Sequence, residues 1–262
     1  MTIRTSVRPT VHRLAGSLGA EVTGVDLAQL DDDTFEVIKA AFLAHCVLVI
    51  PGKELGPGTL RDFASRFGTL HTNPAVKHVP GYPEVVPLIG RGKKRAITEV
   101  WHSDGSYEPV PPSVSILHPR QLPRCGGDTL FANQYLAFDR LHPRMQAFLE
   151  RTPACHYGFR GSAVHPSVIT HPETGRNALY LGAGFTQHFE GWSPRESAPL
   201  LDQLVADATT PDLTFRHRWS VGDVVMWDNR CALHYAIHDY GQEHRVMHRI
   251  TVEGSIPRFG GR

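Results

Sequence analysis

His102 and Asp104 lie two positions apart in Trp101-His102-Ser103-Asp104, and His234 follows much later in Trp227-Asp228-Asn229-Arg230-Cys231-Ala232-Leu233-His234. On an extended segment residues i and i+2 project to the same side, so this imidazole and this carboxylate can reach one metal ion. A second imidazole from elsewhere in the fold, His234, would complete a two-histidine, one-carboxylate face. That face leaves the other side of the ion open, which suits non-haem Fe(II) that must also hold a co-substrate and O2. A hydrolytic zinc centre, with metal-bound water as nucleophile, is the competing reading. Histidine alone carries little weight in a chain with 16 of them. An isolated H-x-D pair is more often a surface or hydrogen-bonded pair.

These residues need a frame. Asp31-Asp32-Asp33 precedes a helical pattern from Thr34 to Leu43, with an acidic first turn suited to a helix N-terminus. Cys46 to Ile50 reads as a buried strand stopped by Pro51-Gly52. A second helix is expected from Thr59 to Phe67, ending at Gly68. From about Pro83 onward short β-rich runs dominate: Val85–Ile89, Val114–Leu117, Ala178–Leu181, Leu213–Phe215, Val224–Trp227 and Val246–Val252. Bounded by Gly, Pro and Asp turns, they suit sheets packed face to face or rolled into a barrel. Helical insertions are expected over Leu136–Arg151 and Pro194–Ala208. The second opens on Ser193-Pro194-Arg195-Glu196, a capping-box pattern. The fold class is mainly β with flanking helices (α+β), read as a single domain over residues 1–262.

The last β run alternates. Arg245, Met247, Arg249 and Thr251 fall on one face; Val246, His248, Ile250 and Val252 fall on the other. Two arginines on one face suit the lining of a polar cavity, and a solvated outer face is the alternative.

Bulk composition excludes several roles. Hydrophobic content of 41% with 20% charged residues and a net charge of +1 is ordinary for a soluble globular protein. The longest basic run, Arg91-Gly92-Lys93-Lys94-Arg95, reads as a solvated loop, so nucleic-acid binding is not expected. Cys46, Cys125, Cys155 and Cys231 show neither a disulfide framework nor structural-zinc spacing. Neither a signal peptide nor a membrane span is recognisable, and a cytoplasmic setting is expected.

Beyond the H-x-D pair, Gly126-Gly127-Asp128-Thr129, Trp227-Asp228-Asn229-Arg230 with His234, and Arg245-Val246-Met247-His248-Arg249 resemble the TauD/TfdA family. So do Leu18-Gly19-Ala20-Glu21-Val22-Thr23-Gly24-Val25-Asp26-Leu27, Arg66-Phe67-Gly68 and His171-Pro172-Glu173-Thr174-Gly175-Arg176, all in the family's order. The resemblance implies a double-stranded β-helix, or jelly roll, with an Fe(II)- and 2-oxoglutarate-dependent oxygenase activity. It implies that His102, Asp104 and His234 bind iron and that Thr129 and Arg245 hold the distal carboxylate of 2-oxoglutarate. Arg249 would meet the acidic group of the primary substrate, and O2 would be the oxidant, with succinate and CO2 released. A homodimer or homotetramer is expected on the same ground. A guanidinium offers a planar fork to a carboxylate, while a hydroxyl adds a donor without a second buried charge. Zinc hydrolysis gives no reason for the Thr129–Arg245 pair. A jelly-roll binding module without catalysis predicts a broken constellation, and all six positions are filled with competent residues.

Arg249 points to a small anionic organic substrate, with a carboxylate as the leading reading and a sulfonate or alkyl sulfate as the alternative. Leu70-His71-Thr72-Asn73-Pro74 stands where the taurine enzymes carry L-H-x-H-P, so Asn73 replaces a histidine that binds sulfonate. Ile97-Thr98-Glu99-Val100 likewise lacks their asparagine. Both departures count against taurine, although Asn73 also suits a plain turn before proline. His71, Asn73, Tyr107 and Phe185 are the candidate pocket walls. No residue decides between hydroxylation and desaturation.

Overall fold

The computed structural model describes residues 9–52, 54–90 and 98–260. The basic run at Arg91–Arg95 lies outside them. Its centre is a seven-stranded sheet, in the order Thr10–Arg13, Ala20–Thr23, Val47–Ile50, Val224–Asp228, Val114–Gln121, Arg245–Val252 and Val86–Gly90. Every pairing in it is antiparallel except that of Ala20–Thr23 with Val47–Ile50. A three-stranded sheet, Thr214–His217, Thr129–Asn133 and Ala232–Ala236, supplies the second layer.

Period-two alternation sorts the side chains of the large sheet into two cores. Val47, Val49, Val225, Trp227, Leu117 and Met247 pack inward with Phe131 and Ala232 of the smaller sheet. Their neighbours Leu48, Ile50, Val224, Met226, Ile250 and Val252 face the other way, against the helices. Strands covered on both faces read as continuous apolar runs, which is why Val47–Ile50 shows no polar position. Met247 lies in the inner core between Arg245 and Arg249, so the two arginines face inward and the solvated-face reading fails.

The helix Asp32–His45 starts where Asp31 accepts the Thr34 N–H at 2.8 Å and lays Phe35, Ile38, Ala41 and Phe42 on the sheet. Cys46 is its left-handed cap, with φ 64°, and the strand begins one residue later than the sequence reading placed it. The second helix spans Pro57–Ser65, with proline in its first turn. The helix expected over Leu136–Arg151 is two helices, Gln134–Asp139 and Pro143–Leu149. The residue before a proline is disfavoured in helical geometry, and here His142 leaves it to cap the second helix. Pro194–Ala208 forms as expected, with the Ser193/Glu196 capping box complete. Leu213 ends a 3-10 turn, Pro211–Leu213, ahead of the strand Thr214–His217. A hairpin, Pro153–Gly158 with Gly161–Pro166, was not anticipated. No described helix is long and apolar enough to cross a membrane.

Candidate metal and co-substrate site

His102 and His234 form an isolated antiparallel bridge, exchanging both backbone hydrogen bonds at 3.1 and 2.9 Å. Directly opposed residues share a face, so the bridge brings the imidazoles together with ring centroids 4.0 Å apart. The chain then turns, and Asp104 swings back over the pair. Its Oδ1 lies 3.8 Å from His102 Nε2 and 3.7 Å from His234 Nε2. The extended H-x-D segment expected from the sequence is thus a one-residue bridge followed by a turn.

The donor set fits a divalent metal ion. His102 Nδ1–H donates to the Val100 carbonyl at 2.7 Å, which fixes the tautomer and leaves Nε2 with a free lone pair. That Nε2 is buried with no hydrogen-bond partner. Burial, reinforced by His102, holds the His234 imidazole down at about 3, while Asp104 and the backbone oppose the shift. Burial pushes the Asp104 carboxyl up, but His234, Arg249, His102 and the Ser115 hydroxyl together bring it down to about 2. His234 is therefore neutral and Asp104 ionised at pH 7, the protonation states that metal ligation requires. The polypeptide at Leu181–Phe185 lies flat behind His102: a Cβ on Gly184 would sit 2.9 Å from His102 Cβ. Phe185 meets the His102 ring edge-on at 5.8 Å.

Thr129 opens the Thr129–Asn133 strand and is buried. Phe131, two residues on, pairs with His234, so Thr129 shares the face that carries this histidine. Arg245 comes from the opposite sheet. Trp219 joins the two: its Nε1–H donates to Thr129 Oγ1 at 3.1 Å, and the Arg245 guanidinium lies 5.5 Å from its ring centroid. With Trp219 as donor, the Thr129 hydroxyl keeps its own hydrogen to give. Arg245 Nε is buried without a partner, and burial lowers the guanidinium pKa. A largely desolvated guanidinium with an unpartnered Nε, and a hydroxyl with a hydrogen to give, thus meet the same indole, a pairing that suits a carboxylate.

A cleft of about 630 Å³ opens over His102 and Asp104. All the substrate-wall residues named from the sequence line it: His71, Asn73, Tyr107, Phe185 and Arg249. Arg249 Nε is buried and unpartnered. Asn73 Oδ1 accepts the Ala75 N–H at 3.0 Å, so the turn role and the wall position coexist. Among the lining residues that the sequence analysis does not name are Phe159 and Arg160, at the tip of the unanticipated hairpin. That tip is docked on the site, because a Cβ on Gly158 would collide with the Tyr107 ring.

Residues 10–251 match the family model described as "Taurine catabolism dioxygenase TauD, TfdA family". The chain belongs to the TauD/TfdA family of Fe(II)/2-oxoglutarate-dependent dioxygenases. It is 35% identical to an alkylsulfatase of Acinetobacter baylyi, over 94% of this chain and 85% of that one. It is 33% identical to an alpha-ketoglutarate-dependent sulfate ester dioxygenase of Pseudomonas putida, covering 94% and 90%. A solved taurine dioxygenase from Burkholderia xenovorans superposes with a TM-score of 0.89 at 34% identity, over 97% and 94% of the two chains. The two-layered β architecture is accordingly the jelly-roll core of TauD/TfdA enzymes.

In this TauD/TfdA chain two of the sequence motifs meet in a buried ion cluster. Asp228 accepts from His171 Nε2 at 2.9 Å and from Arg230 Nε and Nη2 at 2.8 and 2.7 Å. Arg230 Nη1 also reaches Glu173 at 3.1 Å. Burial raises the Asp228 carboxyl, yet Arg230 and His171 hold it at about 2. The cluster pins the turn that carries Asn229, and so fixes the approach to His234.

Proposed function

We propose that His102, Asp104 and His234 hold Fe(II), that Thr129 and Arg245 hold the far carboxylate of 2-oxoglutarate, and that the enzyme oxidises a C–H bond of a small organic anion. The carrying observation is Arg249. Its Nε is buried and unpartnered in the cleft that also contains His102 and Asp104, so an anion docked on it lies beside the metal face. Bound there, Fe(II) and 2-oxoglutarate supply the O2-dependent oxidation, with succinate and CO2 as the co-substrate's products.

The chain's own share is positioning and electrostatics. The His102–His234 bridge presents two imidazoles side by side, and burial keeps that of His234 neutral. Arg249 neutralises the substrate's acidic group, while Tyr107 and Phe185, 4.9 Å apart edge to face, wall the hydrocarbon part. His71 and Asn73 line the same cleft and complete the substrate wall. Holding the target C–H in one place both speeds its oxidation and spares the enzyme's side chains.

A carboxylate-bearing substrate is the reading that the sequence favours. A sulfate ester is the second reading, and the sulfate-ester relative named above favours it. Taurine is disfavoured, because Asn73 offers no cationic donor in the place where the taurine enzymes have histidine. The test is a panel of aryl and alkyl carboxylates, alkyl sulfates and taurine, scored for substrate-stimulated succinate under O2. Product masses and free sulfate are read alongside, since oxidation of the carbon bearing the ester oxygen releases an aldehyde and inorganic sulfate. An enzyme loaded anaerobically with Fe(II) and 2-oxoglutarate should show a weak visible charge-transfer band. Failure of every anion to stimulate succinate, with neutral analogues succeeding, would remove Arg249 from the assignment.

A further inference from the structure

The inner face of the large sheet carries a polar chain whose hydrogen-bond directions are all determined. Asn229 Oδ1 accepts from Trp227 Nε1–H at 3.0 Å and from the Asp104 backbone N–H at 3.2 Å. Both of these groups can only donate, so the atom facing them is the amide oxygen, and the amide nitrogen is fixed on the other side. Asn229 Nδ2 therefore donates to Ser115 Oγ, at 2.9 Å. With that lone pair occupied, the Ser115 hydroxyl hydrogen is directed to Asp104 Oδ2, at 2.6 Å. Ser115 and Asn229 are both buried, and Ser115 is cross-strand from Trp227 and Thr251. Ser103 Oγ–H donates to the Asn229 carbonyl at 2.7 Å, which clamps the H-x-D segment to the same residue.

We infer that Ser115 and Asn229 are positioning residues that fix Asp104 as a one-oxygen metal ligand. Oδ2 accepts from Ser115, and Oδ1 lies within 3.8 Å of both Nε2 atoms. The direction of the chain matters as much as its presence. An asparagine at 229 supplies an N–H to Ser115 and so frees the serine hydrogen for Asp104. A carboxylate at 229 would take that hydrogen itself and set a second anion behind the ligand. The inference rests on the proposed metal triad.

The test measures Mn(II) and Co(II) binding to the full chain by anaerobic calorimetry, with the Co(II) visible spectrum as a second readout. Ser115→Ala should weaken metal binding by about 10- to 100-fold, as loss of a hydrogen bond to a metal-bound carboxylate does. Its Co(II) spectrum should change as Oδ2 becomes free to bind. Ser115→Thr keeps the hydroxyl and should restore both the affinity and the spectrum. Asn229→Asp, nearly isosteric, should weaken binding at least as much as Ser115→Ala while the thermal melt stays cooperative. His234→Ala is the control for the triad itself. If it binds metal as the parent does, the triad reading is wrong. If it loses metal while Ser115→Ala and Asn229→Asp bind within twofold of the parent, the positioning inference alone is overturned. Should Ser115→Ala not fold, Asn229→Asp and Ser115→Thr decide the matter by the same criterion.

Discussion

Replacing Arg245 by methionine should have opposite effects on the ligand-free and the 2-oxoglutarate-bound protein. The guanidinium Nε is buried without a partner, and burial already lowers the guanidinium pKa. A methionine of similar length removes that desolvation cost, so the melting temperature without 2-oxoglutarate should hold or rise. With 2-oxoglutarate the variant loses a charge-assisted contact of about 1.5–3 kcal/mol. At about 1.4 kcal/mol per decade this raises Kd roughly 10- to 150-fold. In the parent, 2-oxoglutarate at 100 times Kd protects by about 2.7 kcal/mol. For a domain of this size that is a rise of roughly 5–11 °C in Tm. At the same concentration a variant with Kd raised about 100-fold gains only about 0.4 kcal/mol, a shift of roughly 1 °C. The assay is a pair of anaerobic melts with Mn(II), with and without 2-oxoglutarate, and a calorimetric Kd. A variant that binds 2-oxoglutarate within threefold of the parent would refute the anchor. A large fall in the ligand-free Tm would refute the view that this cation is unpaired.

Arg249→Gln should raise KM for the preferred anion by about 10-fold or more, since a charged donor becomes a neutral one, with 2-oxoglutarate Kd unchanged; steady-state kinetics with separate succinate and product assays would show it. Asp228→Asn should cost about 3–5 kcal/mol at neutral pH, because it strips Arg230 of its buried partner. Because the folded carboxyl sits at about 2, its stabilisation is fully present above the usual carboxylate range and is lost as pH falls toward 2. The gap in urea midpoint between parent and variant should therefore narrow from pH 7 to pH 3, and a constant gap would contradict the ion-cluster account. Gly184→Ala forces a methyl group to within 2.9 Å of His102 Cβ, and should weaken Mn(II) binding more than it lowers Tm.

The parts of the site most legible in the sequence were those carried by strong periodicity or by motif. The alternation of Arg245, Met247, Arg249 and Thr251 placed four side chains on one face. Only burial of Met247 could say which face that was. The strands bearing Thr129 and His234 were not read as strands at all. Each is five residues long, and their pairing is with sequence-distant partners, which local pattern does not report. Asn229 stood inside a quoted motif, yet its task depends on Ser115, 114 positions away. A serine within the apolar run Val114-Ser115-Ile116-Leu117 was the available signal, since a polar side chain there must find a partner. Among the histidines, His118 shows why counting them says little: it is fully buried and satisfied by Asp223 and Leu55, and holds loops together. The split of the 136–151 segment turned on His142-Pro143, a local rule that the apolar pattern masked.

Arg245 and Arg249 stand four residues apart on one strand, so their backbone origins are separated by about 13 Å at the usual rise per residue. The proposed holders of the co-substrate and of the substrate are thus two marks on a single rigid caliper. Slipping the strand by one residue would turn both guanidinia out of the interior together, so the spacing cannot be adjusted at either mark alone. Extra substrate length has to be taken up elsewhere around the cleft, and the hairpin tip at Phe159-Arg160 is one wall that the register of the large sheet leaves free. Redesign of substrate range should begin at that tip.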